Sequence, residues 1–293
     1  MIKPELDMIL RRASHADVEA CGRIMHEAFR VINESHGFEN TDFPTVEIGC
    51  QVAASYIHNP LYHSVVAEAG GRIVGSCFLD ERSVIRGVAT VTADSALQGH
   101  GVGRKLMAAV LERSRSAPGV RLLQHSFNTL SLALYASLGF EAKEPVVFMS
   151  GRARSQPPLH LEVRRMQSGD LDACGALCTS VHGFDRTNEL HDALRVFTPF
   201  VALREGRVVA YASAPDTWAQ NHGVAETEKD MRALLLGIGA SRSEPLAFLL
   251  PIRQASLLRW CLDEGLRVVK PMTLMALGEY REPQGCYFTS VVF

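Results

Sequence analysis

Apolar residues recur along the first half of the chain with two different periods. Val18, Cys21, Ile24, Met25, Ala28 and Phe29 repeat at three- and four-residue intervals behind Ser14 and Asp17, and the spacing predicts an amphipathic helix opened by a polar cap. Ile9 to Arg12 reads as a short strand before it. After it comes a long loop, Asn33 to Thr45, with Gly37, Pro44 and three acidic residues. Ser64 to Glu68 and Arg72 to Leu79 form a predicted hairpin turning at Gly70-Gly71. A strand from Gly87 to Ala93, a helix from Val102 to Ser114, a strand from Val120 to Ser126 and a helix from Thr129 to Leu138 follow. Strands around Glu141 and from Val146 to Met149 close the series. Antiparallel hairpins joined to a strand, helix, strand unit give an α/β class with a mixed sheet of the α+β kind.

The same order returns in the second half. Arg11-Arg12, Asp17 and Ala20-Cys21-Gly22 reappear as Arg164-Arg165, Asp170 and Ala173-Cys174-Gly175. VVAEAGGRIVG from Val65 matches FVALREGRVVA from Phe200, and SLGFEAKEPVVFM from Ser137 matches DEGLRVVKPMTLM from Asp263. Blocks that keep their order while their spacing shrinks indicate a duplicated unit with diverged loops. SGRARSQPP, residues 150–158, lacks apolar periodicity and ends in Pro-Pro, so it reads as the linker between residues 1–149 and 159–293.

Candidate chemistry concentrates at VTADSALQGHGVGR, Val91 to Arg104, where an extended segment gives way to a helix. Glycines let the backbone curl so that amide N–H groups converge, and the helix start adds partial positive charge; together they seat a phosphate. A P-loop is excluded because Lys105 follows Arg104 and precedes Leu106. A dinucleotide fingerprint is excluded because Arg104 stands where its third glycine belongs. What remains is Gln98-Gly99-His100-Gly101-Val102-Gly103, of the form Q-x-x-G-x-G.

This hexapeptide resembles the signature of the GNAT superfamily of N-acetyltransferases, and NTLSLALYASLGF, Asn128 to Phe140, is similar to that family's second conserved block. The resemblance implies two tandem GNAT-like domains, each a mostly antiparallel sheet flanked by helices, with acetyl-CoA as cosubstrate. By the same resemblance Gly99, His100, Gly101, Val102, Gly103 and Arg104 would offer the pyrophosphate its amides, with Gln98 and Asn128 completing the cofactor site. Val91 and Ala93 would pair their backbone with the pantetheine arm, and Tyr135 would be the general acid that protonates the leaving thiolate. A thiol titrates near ~8.5 and tyrosine near ~10, so a neutral tyrosine can make that donation.

The base is open between Asp80, Glu81, Glu34, Glu39 and the C-terminal carboxylate of Phe293, none of them favoured by its surroundings in the sequence. The second half looks degenerate: Leu234 replaces Gln98, Cys261 replaces Tyr135 and Gln254 replaces Asn128, while Gly237 and Gly239 read as the end of a helix begun at Thr227. Completion of the acceptor pocket, stabilisation or homodimerisation are its expected uses. Cys174 and Cys178 lack partners at metal-binding spacing, and no metal is expected.

Composition narrows the partners. Lys plus Arg is 30 against Asp plus Glu 32 over 293 residues, a balance that argues against nucleic acid. Seven scattered cysteines read as reduced thiols of a cytoplasmic protein, and no apolar run approaches the roughly 20 residues of a membrane helix. The expected acceptor is a small-molecule or peptide amine. Acyl-CoA binding without turnover, or transfer of another acyl group or to another acceptor, fits the same residues.

Overall fold

The computed structural model describes residues 7–158, 161–215 and 217–292. The first half contains β1 (Ile9–Arg12), α1 (Val18–Ser35), α2 (Val46–His58), β2 (Tyr62–Ala69), β3 (Arg72–Asp80), β4 (Arg86–Ala93), α3 (Val102–Arg113), β5 (Gly119–His125), α4 (Thr129–Ser137) and β6 (Glu141–Gly151). The second contains β7 (Glu162–Arg165), α5 (Leu171–His182), α6 (Thr187–Val196), β8 (Phe200–Arg204), β9 (Arg207–Ala212), β10 (Gly223–Ala225), α7 (Glu228–Ala240), β11 (Leu246–Pro251), α8 (Ala255–Asp263), β12 (Arg267–Gly278) and β13 (Cys286–Phe288). Among the described residues, no helix is long and apolar enough to cross a membrane.

The internal repeat is visible in detail. Arg11 holds Asp17 through two bonds of 2.7 and 2.8 Å while Ser14 N–H donates to the same carboxylate at 2.7 Å. Arg164 and Gln167 treat Asp170 alike, at 2.7, 2.9 and 2.7 Å. Each carboxylate closes the strand-to-helix corner and satisfies an amide at a helix start, where four N–H groups lack intrahelical partners.

The sheets do not divide where the sequence does. One sheet runs β1-β2-β3-β4-β5-β12-β6-β11 and the other β13-β10-β9-β8-β7. The equivalent strands β6 and β12 have changed places: β12 of the second half pairs with β5, from Met272 against His125 to Gly278 against Gly119, while β6 of the first half pairs with β11. Two duplicated strands with the same alternation of apolar residues satisfy either site, and the exchange locks the halves into one body. Hydrogen bonding therefore does not separate residues 1–149 from residues 159–293.

Other differences are local. The loop before α2 begins at His36, because α1 continues through Ser35, and α2 itself, capped by the Thr45 side chain, was not legible as a helix. Glu141 and Val146 to Met149 lie on the single strand β6, which takes Ser150 and Gly151 out of the expected linker. Gly237 and Gly239 lie in the last turn of the helix α7 that Thr227 opens, and Gly237 lets the helix close on Val163 of β7, whose Cβ would lie 2.4 Å from an added Cβ.

Candidate active site

β4 pairs with β3 along its length but meets β5 only at Arg86, Gly87 and Val88, the parallel contact of an otherwise antiparallel sheet. The next residue, Ala89, is left out of the β3 ladder, since Phe78 pairs with Thr90 and Leu79 with Val88. Such a bulge bends its strand. Beyond it β4 and β5 part, and the gap between Ala89–Ala93 and Leu122–His125 opens into a cavity of about 690 Å³. Val91 and Ala93 lie on the open edge, paired on their other side with Cys77 and Gly75.

At the end of β4, Asp94 caps a short 3-10 turn and Gln98 leads to the glycines. Gly99 and Gly101 have φ of +83° and +84°, in the left-handed region open to glycine at no steric cost. A Cβ placed on Gly101 would meet nothing within 4 Å, so the space before the loop is clear. Gly101 caps α3, whose amide ladder starts with Lys105 N–H donating to the Gly101 carbonyl at 3.0 Å. The N–H groups of Val102, Gly103 and Arg104 thus face the open end of the helix. Gln98, Gly99, Gly101, Val102, Gly103 and Arg104 line the cavity; His100 does not. The exposed Arg104 guanidinium donates to Ser137 Oγ at 2.7 Å.

α4 forms the opposite rim. Asn128 caps it, Oδ1 accepting from Ser131 N–H at 3.1 Å, and also lines the cavity. Tyr135, about two turns on, is buried among Cys77, Val102 and Phe140 with its ring lining the cavity, and its hydroxyl has no hydrogen-bond partner among the described residues. Burial, with the Cys77 thiol adding to it, pushes the Tyr135 phenol above its ordinary value, so it stays protonated at neutral pH. The phosphate-type loop, the open strand edge and this hydroxyl share one cavity.

The other end of the cavity is built by both halves. Phe29, Phe43 and Tyr56 come from the first; Trp218, Gln220, Met272 and Val291 come from the second. Trp218 stacks on Phe148 at 4.7 Å and donates from Nε1 to the Thr41 carbonyl at 3.3 Å. Asp42, His125 and Lys270 meet there, His125 Nε2 lying 3.1 Å and Lys270 Nζ 2.7 Å from the Asp42 carboxylate. Asp80, Glu81, Glu34 and Glu39, considered from the sequence, do not line the cavity. Asp80 is clamped by Arg82 at 2.6 Å, Glu81 faces Arg113 at 3.1 Å, Glu34 faces Arg30 at 2.6 Å and Glu39 is exposed. Phe293 lies outside the described residues.

Comparison with known proteins agrees with this geometry. Residues 33–153 match the family model described as an acetyltransferase (GNAT) domain. That segment of the first half is similar to GNAT acetyltransferase domains. An N-alpha-acetyltransferase RimI of Mycobacterium tuberculosis is 35% identical over 88 residues, 28% of this chain and 54% of that relative, so the likeness spans about half the relative's length. A solved Pyrococcus horikoshii protein described as an acetyltransferase superimposes with a TM-score of 0.76 at 17% identity, covering 98% of this chain and 94% of the other. A tandem GNAT protein from the clavulanic acid biosynthesis pathway gives 0.61 at 11% identity, covering 93% and 98%. At these identities the likeness to solved structures is one of fold, and it extends over both halves.

In the second half the corresponding cleft is filled. β13 pairs antiparallel with β10, from Gly223 against Phe288 to Ala225 against Cys286, on the edge that β4 leaves open. Gln254 stands before α8 where Asn128 stands before α4, but its side chain makes no cap bond; its Oε1 accepts from Tyr287 N–H at 3.1 Å and fixes that strand. α7 starts directly from Thr227 without a glycine loop. Sequence reasoning missed the Ala89 bulge and the Asp42, His125, Lys270 group. The one local signal was Lys270 itself, a lysine inside the apolar run VVKPMTLM.

Proposed function

We propose that this protein is an acetyl-CoA-dependent GNAT N-acetyltransferase with a cofactor site in its first half and an acceptor pocket completed by its second. The observation that carries the reading is the shared cavity: the amide-lined start of α3, the unpaired edge of β4 and the unpartnered Tyr135 hydroxyl all open into it. The residues fit the cofactor. The clear space before Gly101 and the helix start suit a pyrophosphate, and Ala89 to Ala93 present main-chain groups to an extended amide-bearing arm as an added strand would.

The chemistry follows from the positions. A thioester between the parted strands leaves its carbonyl carbon open to an amine arriving from the side of Phe29, Phe43 and Trp218. Nitrogen attack forms the C–N bond; as the C–S bond breaks, the departing thiolate takes the Tyr135 proton, for which that hydroxyl is free. The buried walls exclude water, which would otherwise hydrolyse the thioester. Release of free thiol from acetyl-CoA over a panel of primary amines tests the reading. Amine-dependent release is expected; stabilisation by acetyl-CoA with no release for any amine would instead identify a protein that binds the cofactor without turnover.

A further inference from the structure

The outer end of the cavity holds a charge arrangement that the transfer described above does not use. Asp42, with 5% of its side chain exposed, is the one carboxylate of the lining among the described residues. Both its oxygens are engaged: Oδ1 accepts from His125 Nε2 at 3.1 Å, and Oδ2 accepts from Lys270 Nζ at 2.7 Å and Asn33 Nδ2 at 3.0 Å. Lys270 is fully buried, donates also to Asn33 Oδ1 at 3.2 Å and lies 5.8 Å from the centre of the Trp218 ring. Burial opposes a charge on Asp42, yet His125 and Lys270 together pull its carboxyl down to about 2. His125 makes its bond to Asp42 through Nε2 as donor, which leaves Nδ1 turned away from the carboxylate. Its Nδ1 has no partner among the described residues, and the ring lines the cavity between Phe29 and Phe127, at 5.6 and 4.9 Å.

We infer that His125 is the general base of the transfer, Nδ1 taking the proton of the acceptor ammonium, with Asp42 as its positioning residue, and that the acceptor is an amine carried on an apolar or aromatic body. The inference rests on the acetyltransferase reading above. An ammonium titrates near ~10 and an imidazole near ~6.5, a gap that an apolar pocket narrows by disfavouring the ammonium. The lining offers such an ammonium no free carboxylate, so its proton needs an acceptor within the pocket before attack. Asp42 bonds His125 directly and Lys270 stands behind it on the same carboxylate; the exposed His36 ring lies 5.1 Å from Phe127, one ring removed. β4 contributes the uncharged Thr90 and Thr92, and the second half contributes Trp218 and Gln220. Gln220 Oε1 and Thr41 Oγ1 are buried without partners and supply hydrogen-bond acceptors for the amine nitrogen.

The balance is complete. His125 Nδ1 takes one proton from R–NH3⁺; the neutral amine attacks the thioester carbon and the C–N bond forms. The C–S bond then breaks and Tyr135 protonates the thiolate. The second proton lost by the nitrogen restores Tyr135, and His125 returns its own proton to solvent.

The test uses wild type, His125→Gln, His125→Ala and Asp42→Asn with 2-phenylethylamine, tryptamine and ethanolamine, following kcat/KM against pH and the thermal shift given by acetyl-CoA. For 2-phenylethylamine, wild-type kcat/KM should rise with pH through an imidazole-range inflection. His125→Gln should lose roughly 100-fold and the inflection with it. Added imidazole should restore part of the activity of His125→Ala, and Asp42→Asn should lower kcat with the KM for the amine near its wild-type value. All variants should keep the acetyl-CoA thermal shift, which establishes that they fold. A His125→Gln enzyme with wild-type kcat/KM and inflection overturns the base, and ethanolamine turned over as fast as 2-phenylethylamine overturns the acceptor class, while wild-type activity leaves the acetyltransferase reading standing in both cases. Wild type inactive on every amine overturns that reading and this one together.

Discussion

Lys270 reaches Asp42 at 2.7 Å from a strand that belongs, in chain order, to the other half of the molecule. The bond exists because β6 and β12 have exchanged places, which puts a second-half lysine beneath a first-half cavity. Removing one partner of a buried ion pair leaves the other charge uncompensated, at a cost of about 3–5 kcal/mol. Lys270→Met should therefore destabilise the chain by that amount in urea denaturation at pH 7. The double variant Asp42→Leu/Lys270→Met should recover more than half of the loss. A single variant within ~1 kcal/mol of wild type contradicts the coupling.

The same carboxylate sets an acid limit. Its folded value is about 2 against an ordinary 3.8, so its contribution to stability is fully present above pH 3.8 and is lost as pH falls through the folded value. The shift corresponds to about 2 kcal/mol. The difference in unfolding free energy between wild type and Asp42→Asn should accordingly shrink by that amount between pH 5 and ~2, measured by urea titrations. A pH-independent difference shows that Asp42 is not held as a charged group.

Tyr135→Phe separates chemistry from binding. The hydroxyl has no partner, so its loss should change stability by less than ~0.5 kcal/mol. kcat should fall roughly 100-fold with the acetyl-CoA dissociation constant unchanged. Steady-state kinetics beside calorimetric titration decide it, and an unaltered kcat removes Tyr135 from the reaction.

Gly237 reads as a helix-end glycine in the sequence and is a packing glycine in the fold. Gly237→Ala sets a methyl against Val163 and should cost about 1–3 kcal/mol by overpacking. Acetyl-CoA affinity should not change. Weakened cofactor binding in a variant that still folds would place a ligand in the second half.

Much of this was legible in the chain and some was not, for physical reasons. The corner acids Asp17 and Asp170, the glycine loop and the α4 block are local features in which neighbouring residues carry their own explanation. The exchange of β6 and β12 is not local: both strands alternate alike, and nothing within either states which β5 or β11 it will meet. Asp42 looked like one more loop acid beside Glu34 and Glu39, because burial depends on Lys270, far away in sequence. α2 escaped notice because VEIGCQVAASYIH mixes β-branched residues and glycine with helix formers.

The central claim is one cofactor site per chain, in the parted strands of the first half, and calorimetric titration with acetyl-CoA addresses it most directly. Wild type should bind with a stoichiometry of one. Gly101→Glu, which puts an acidic side chain into the clear space at the start of α3 and forces a non-glycine residue to a φ of +84°, should bind none while remaining folded. Two sites per wild-type chain, or undiminished binding by Gly101→Glu, would contradict the account.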